Sequence, residues 1–146
     1  MSDRPIVLII EDDIDLAEIM GITLVAQSFC VITADNPEEG FQKAKEKKPN
    51  LIILDVMFGS EQEALGFQYA VKLKEDKDLA PIPILMVTAI NIEHPEYVFS
   101  NETDEFYLPV DGFIDKPVEL DDLVQKVREM LEMKISKWAN WPSPSP

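Results

Sequence analysis

A single cysteine, Cys30, is present in 146 residues, so no internal disulfide can brace this chain. Stability must come from a packed core, and a reducing, cytoplasmic setting is the default expectation. Basic residues are scarce. Only 13 Lys and Arg stand against 28 Asp and Glu, a formal net charge of −15. Binding to a phosphate backbone needs clustered cations, so no direct nucleic-acid contact is expected of this chain. No apolar run approaches the roughly 20 residues that span a bilayer, so no membrane insertion is expected. The opening stretch MSDRPIVLII lacks the basic start and small-residue cleavage site of a secretory signal, which again points to the cytoplasm. The one histidine, His94, is no basis for a metal site. The acidic surplus taken alone describes a solvated surface and favours cation binding only weakly.

Hydrophobic residues make up 46% of the chain, enough for one domain with a real core. Strand and helix signals alternate along it. IVLII at 6–10 is a short apolar run rich in β-branched residues and predicts a buried strand. Leu16, Ile19, Met20 and Leu24 then recur at helical spacing. Residues 29–33 predict a second strand. Asn36-Pro37-Glu38-Glu39 opens a helix, with Asn36 as cap, Pro37 in the first turn and Glu39 completing a capping box. Residues 51–54 predict a third strand. Phe67, Ala70, Val71 and Lys74 suggest the next helix. Residues 84–87 and 112–114 predict two more strands, and Leu120, Leu123, Val124, Val127 and Leu131 a final amphipathic helix. Such alternation implies parallel βαβ units, with helices covering both faces of the sheet. A domain over residues 1–135 and a Pro/Ser-rich tail over 136–146 are expected, the tail packing loosely.

In open sheets of this kind ligands bind beyond the carboxyl ends of the strands. Glu11, Asp12 and Asp13 follow the first strand, Asp55 ends the third, Thr88 the fourth, and Asp115-Lys116-Pro117 the fifth. Each has an ordinary explanation when taken singly. Asp13 suits a helix cap, Asp55 a turn, Thr88 a strand-end hydroxyl and Lys116 a surface cation. Together they form a set with a chemical logic. Crowded carboxylates call for a divalent cation, and Mg²⁺ prefers oxygen ligands. A carboxylate can act as a nucleophile towards phosphorus. Lys and hydroxyl donors can then stabilise the charge on a phosphoryl group in transit.

The stretches IVLIIEDD, LIILDVMF, ILMVTA and GFIDKP resemble the receiver domain of two-component response regulators, here of single-domain type, over about residues 5–134. The resemblance implies an α/β, flavodoxin-like, doubly wound five-stranded parallel sheet of order 2-1-3-4-5. It implies helices on both faces and an irregular fourth helix region. Asp55 would be the phosphoacceptor. Asp12, Asp55 and the backbone carbonyl of Met57 would bind Mg²⁺ directly, and Glu11 through a water. Thr88 would bond a phosphoryl oxygen after activation. Lys116 would pair with the phosphoryl group and precede a cis bond to Pro117. Phe113 takes the place of the family's switch aromatic, with core packing as its plainer role. The implied partners are a sensor histidine kinase or a histidine phosphotransfer protein, followed by a downstream protein target. The implied activity is phosphoryl acceptance in a phosphorelay, with Mg-dependent self-phosphorylation from small donors and self-dephosphorylation rather than turnover as an enzyme.

Two stretches depart from the family pattern. Residues 58–65 (FGSEQEAL) form a longer loop than usual, with Gly59 where the family carries Pro, and are expected to alter access to an acyl phosphate. Thr88 and Lys116 lie 28 positions apart, several more than is typical. Residues 91–111 there match an amphipathic helix poorly. Tyr97, Phe99, Phe106 and Tyr107 would either reshape the partner surface or fill the core beneath a long loop. After the last helix nothing resembles an output domain, so action through binding or onward phosphoryl transfer is expected.

Three rival readings compete with this one. A haloacid-dehalogenase-like phosphatase needs an acidic residue where Met57 stands. A flavodoxin-like cofactor binder would not place Glu11-Asp12-Asp13 against a phosphate. A degenerate receiver that only binds protein remains the serious alternative.

Overall fold

The computed structural model describes residues 4–55, 63–88 and 110–139, with side chains for all of these except 63–67, 88 and 133–139. Five parallel strands form one sheet in the order β2-β1-β3-β4-β5. They are β1 (Ile6–Ile10), β2 (Cys30–Ala34), β3 (Leu51–Asp55), β4 (Ile84–Thr88) and β5 (Gly112–Asp115). The described helices are α1 (Ile14–Ala26), α2 (Pro37–Lys47), α3 (Glu63–Glu75) and α4 (Leu120–Ala139). This is the expected doubly wound order.

Alternation along each strand builds the two layers. Leu8, Ile10, Ile52, Leu54, Ile84 and Met86 point to one side, where Ala44 of α2 and Ala70 and Leu73 of α3 cover them. Val7, Ile9, Leu51, Ile53, Leu85 and Val87 point to the other, beneath Ala17, Met20 and Leu24 of α1 and Leu123, Val127 and Met130 of α4. The central strands are therefore apolar up to their last residue, Asp55 in β3 and Thr88 in β4, as a sheet buried on both faces requires.

Several expectations need correction. The second strand starts at Cys30, not at Phe29. Ser28 turns the chain with a left-handed φ of 76°, and the Phe29 N–H bonds back to the Leu24 carbonyl, so Phe29 closes the helix end instead of opening the ladder. Ile19 belongs to no buried face: it is exposed, as are Ile14, Ile22 and Val25. The helix is apolar on more than one side, which blurs its period, and the buried stripe runs through Ala17, Met20, Gly21 and Leu24. Val71 is likewise exposed, while Ala70 and Leu73 are buried. The loop drawn to residue 65 ends earlier, because Glu63, Ala64 and Leu65, all strong helix formers, already lie in α3. At the far end α4 continues to Ala139, so residues 136–139 of the assigned tail are helical.

The Asp13 and Asn36 caps form where the sequence predicts them. The Asp13 carboxylate accepts from the Leu16 N–H at 3.1 Å and starts α1. Asn36 accepts from the Glu39 N–H at 2.8 Å and starts α2, with Pro37 in its first turn. The Glu39 carboxylate pairs with Lys43, 2.9 Å away and one turn on.

Candidate functional site

The strand order places a switch point between β1 and β3, since the chain moves outward from β1 to β2 and then returns to β3 on the other side. A crevice opens there at the carboxyl ends. Ile10 is level with Leu54 across the β1–β3 ladder, so Glu11 comes level with Asp55. The Glu11 N–H bonds the Ala34 carbonyl at 3.0 Å, which carries the ladder one residue past β1 and fixes the Glu11 backbone. On the other side Asp55 pairs with Val87, and Val87 with Ile114. Lys116 therefore stands two residues beyond the level of Asp55 and reaches back with its long side chain. Its Nζ donates to Asp55 Oδ2 at 3.1 Å.

Burial sets the electrostatics. Asp55 and Glu11 are each 1% exposed, among the described residues the two buried polar or charged ones. One Glu11 oxygen, Oε2, accepts from the Asp13 N–H at 3.1 Å. The other, Oε1, is buried with no hydrogen-bond partner. Burial, followed by the adjacent Asp55 carboxylate, pushes the Glu11 pKa from 4.5 up to about 9. Two carboxylates can bond one another only when one carries a proton, which is the sense of this shift. Burial alone would lower the Lys116 pKa, but the charges of Asp55, Glu11 and Asp12 outweigh it and hold the ammonium above its ordinary value.

Glu11, Asp12 and Asp55 each place a carboxylate oxygen within 4.8 Å of the others. All three donors are oxygens, and the buried Oε1, which has no hydrogen-bond partner, could serve as a ligand once Glu11 gives up its proton. The set suits a hard divalent ion such as Mg²⁺. Asp12 is exposed, leaving one side of the cluster open to solvent.

The remaining predicted residues fall as follows. Thr88 is described at the backbone, as the last residue of β4, opposite Asp115. Phe113 lies on β5 opposite Met86, half-buried and packed against the core layer under α2 and α3. The peptide bond between Lys116 and Pro117 is cis. Met57, the 58–62 part of the loop, His94 and the aromatics Tyr97, Phe99, Phe106 and Tyr107 lie outside the described residues. Sequence reasoning gave Asp13 only a capping role. Its backbone N–H also holds Glu11, a contact with no signature in residue type.

The chain matches the response regulator receiver domain family over residues 7–128 and belongs to that family. It is 28% identical to the DNA-binding dual master transcriptional regulator RpaA of Synechocystis, over 87% of this chain and 49% of the relative. It is 27% identical to the phosphate regulon transcriptional regulatory protein PhoB of Pseudomonas aeruginosa, over 86% of this chain and 51% of the relative. The chain thus spans about half the length of these curated relatives. Among solved structures, a CheY-like receiver domain protein from Methanospirillum hungatei superposes with a TM-score of 0.76 at 23% identity, covering 92% of this chain and 99% of that one. Chemotaxis protein CheY4 of Vibrio cholerae gives 0.72 at 23% identity, covering 86% and 98%. The chain is therefore a receiver domain of the two-component type, a class that interacts with histidine kinases or phosphotransfer proteins. Among the described residues no helix is long and apolar enough to cross a membrane.

Proposed function

We propose that this receiver accepts a phosphoryl group on Asp55, delivered from a phosphohistidine of a sensor kinase or phosphotransfer protein. The observation that carries the reading is the convergence on one buried carboxylate: Lys116 bonds Asp55 at 3.1 Å, and Glu11 and Asp12 crowd it from the other side. An Asp55 oxygen attacks phosphorus, the P–N bond to the donor imidazole breaks, and the imidazole nitrogen takes a proton from solvent. The product is an acyl phosphate. Asp55 is held in line by its place at the end of β3, and its burial keeps bulk water from the forming anhydride.

Glu11, Asp12 and Asp55, with the backbone carbonyl of Met57, would hold Mg²⁺. When bound, the ion offsets the acid surplus and the negative charge of the phosphoryl oxygens. Lys116 follows the phosphoryl group from the opposite side, and Thr88 supplies a hydroxyl to it. The new charge at Asp55 biases Thr88 and Phe113 towards a second packing, read by a downstream protein. Small phosphodonors serve in place of the kinase, and loss of the phosphoryl group to water follows without a separate enzyme.

Incubation with acetyl phosphate and Mg²⁺, followed by intact mass, tests this. One phosphoryl adduct is expected on the wild type and none on Asp55→Asn. An unlabelled wild type, or equal labelling of the variant, sinks the reading.

A further inference from the structure

At the sheet edge opposite the acidic site, α3, the turn after it and the start of β5 meet on a single ammonium. Lys74 Nζ donates to the Ala80 carbonyl at 3.1 Å, to the Ile82 carbonyl at 3.0 Å and to Asp111 Oδ2 at 3.2 Å. An ammonium has three protons, and each has an acceptor here. The same Asp111 oxygen accepts from the Ile84 N–H at 2.9 Å, while the Asp111 N–H bonds the Ile84 carbonyl at 2.9 Å. Ile84 opens β4, and the rung after it pairs Leu85 with Gly112. The Asp111 carboxylate thus takes the place of a backbone carbonyl at the end of the β4–β5 ladder.

This arrangement selects a register. β5 is four residues long and lies at one end of the sheet order. A slip of one residue would set Val110 or Gly112 opposite Ile84, and neither side chain can accept a hydrogen bond. Packing makes the same choice independently. Gly112 lies so close to α4 that a Cβ there would come within 2.9 Å of Met130 Sδ. A slip would push Asp111 or Phe113 into that place. It would also exchange the two faces of the strand, sending Phe113 out of one core layer and Ile114 out of the other.

We propose that Lys74 and Asp111 are positioning residues: they lock β5 in the register that delivers Lys116 to Asp55 and keeps Phe113 in the core. This rests on the phosphoacceptor reading for its consequence, though not for its geometry. Neither residue touches the site. They act through the strand, so damage to the lock reaches Lys116 as a loss of placement.

The test compares wild type with Lys74→Met, Asp111→Ala and the conservative Lys74→Arg, using two readouts. One is amide hydrogen exchange at 112–115 relative to β1 and β3. The other is the rate of Asp55 labelling by acetyl phosphate with Mg²⁺, scaled to the folded fraction. In Lys74→Met and Asp111→Ala the β5 amides should exchange roughly tenfold faster relative to the central strands, as expected for lost local bonds. Labelling should slow several-fold. Lys74→Arg should recover both, since a guanidinium can still donate to carbonyls and a carboxylate. If Asp111→Ala fails to fold, Asp111→Asn keeps an acceptor for Ile84 and should fall between. Protection lost equally in all strands, with unchanged labelling of folded protein, overturns the lock. A wild type that takes up no label defeats the phosphoacceptor reading separately, and the exchange arm then decides the lock by itself.

Discussion

Two Lys–Asp pairs stand at opposite edges of this sheet and differ little in length. Lys116 and Asp55 are 3.1 Å apart, and Lys74 and Asp111 are 3.2 Å apart. Their surroundings are opposites. Around Lys74 every proton has an acceptor, and Asp111 is half-open to water. Around Lys116 one ammonium faces three carboxylates, and one Glu11 oxygen is buried without a partner. The first pair is a joint, complete within the chain. The second holds more acid than its one ammonium balances, and Glu11 keeps a proton in consequence. Folded proteins rarely bury a polar atom unpaired, and where they do the atom commonly belongs to a working site. What separates the two ends is therefore the polar balance left over, and not the ion pair itself.

Removing the cation at the acidic end should break this contrast most forcibly. In Lys116→Met, Asp55 remains almost wholly buried with its nearest positive charge gone. A quarter of the Lys116 side chain reaches solvent, so water replaces part of the loss. Destabilisation of about 2–3 kcal/mol is expected, below the range for a fully buried pair that loses one member. Urea unfolding at neutral pH with a chelator present measures it. A cost no larger than that of an exposed ion pair would mean that water fully replaces the ammonium beside Asp55.

The proton on Glu11 offers a second, smaller handle. In the folded protein this carboxyl keeps its proton up to about pH 9, whereas unfolded it releases it near 4.5. Its stabilising contribution is complete below pH 4.5, declines as pH rises and is gone above about pH 9. Metal-free wild type should lose stability across that window, and Glu11→Gln should remove the slope. The surface carboxylates with lowered pKa values, Glu39 beside Lys43 and Asp76 beside Lys45, act on the acid side of this window. The raised Lys45, Lys116 and Tyr69 act on its alkaline side. A difference between wild type and variant that stays flat or grows with pH contradicts the assignment.

The acidic end was far more legible in the sequence than the other. β1 and β3 are unbroken apolar runs, and each ends in carboxylates, so the strand-end rule alone brings Glu11, Asp12 and Asp55 together. Asp111 and Lys74 gave no such sign. They lie 37 residues apart, and their meeting depends on how α3 ends and where β5 begins. In the sequence Lys74 is one more position on a helix face. Ile19 and Val71 lie in the helices their spacing predicts, but on exposed sides: where apolar residues occur on several sides of a helix, periodicity does not single out the buried face. The one-residue error at the start of β2 came from Ser28, whose left-handed backbone no composition rule assigns to serine.

Two glycines sharpen the comparison further, because each allows close packing at one end. Gly40 of α2 presses on Ile10, the residue before Glu11. A Cβ there would meet Ile10 Cδ1, with Cγ1 at 2.7 Å and Cγ2 at 3.2 Å. These are three atoms of one buried, β-branched side chain that has few rotamers to move into. Overpacking of about 1–3 kcal/mol should exceed the helix-propensity gain of Gly→Ala, about 0.5–1 kcal/mol, so Gly40→Ala should destabilise. Displacement of Ile10 would also be passed to Glu11, and labelling of Asp55 should slow with it. Gly112 meets mainly Met130 Sδ at 2.9 Å, on an unbranched and adaptable side chain, while its next contacts are at 3.4 Å or more. A single methyl fits after a rotamer change where a carboxylate or a phenyl ring would not. Gly112→Ala should therefore stay within about 0.5 kcal/mol of wild type. Thermal melts of the two variants, with labelling rates measured in parallel, test the ordering. Equal costs would mean that the two ends are packed to the same tolerance, and that the acidic end is distinguished by its charges alone.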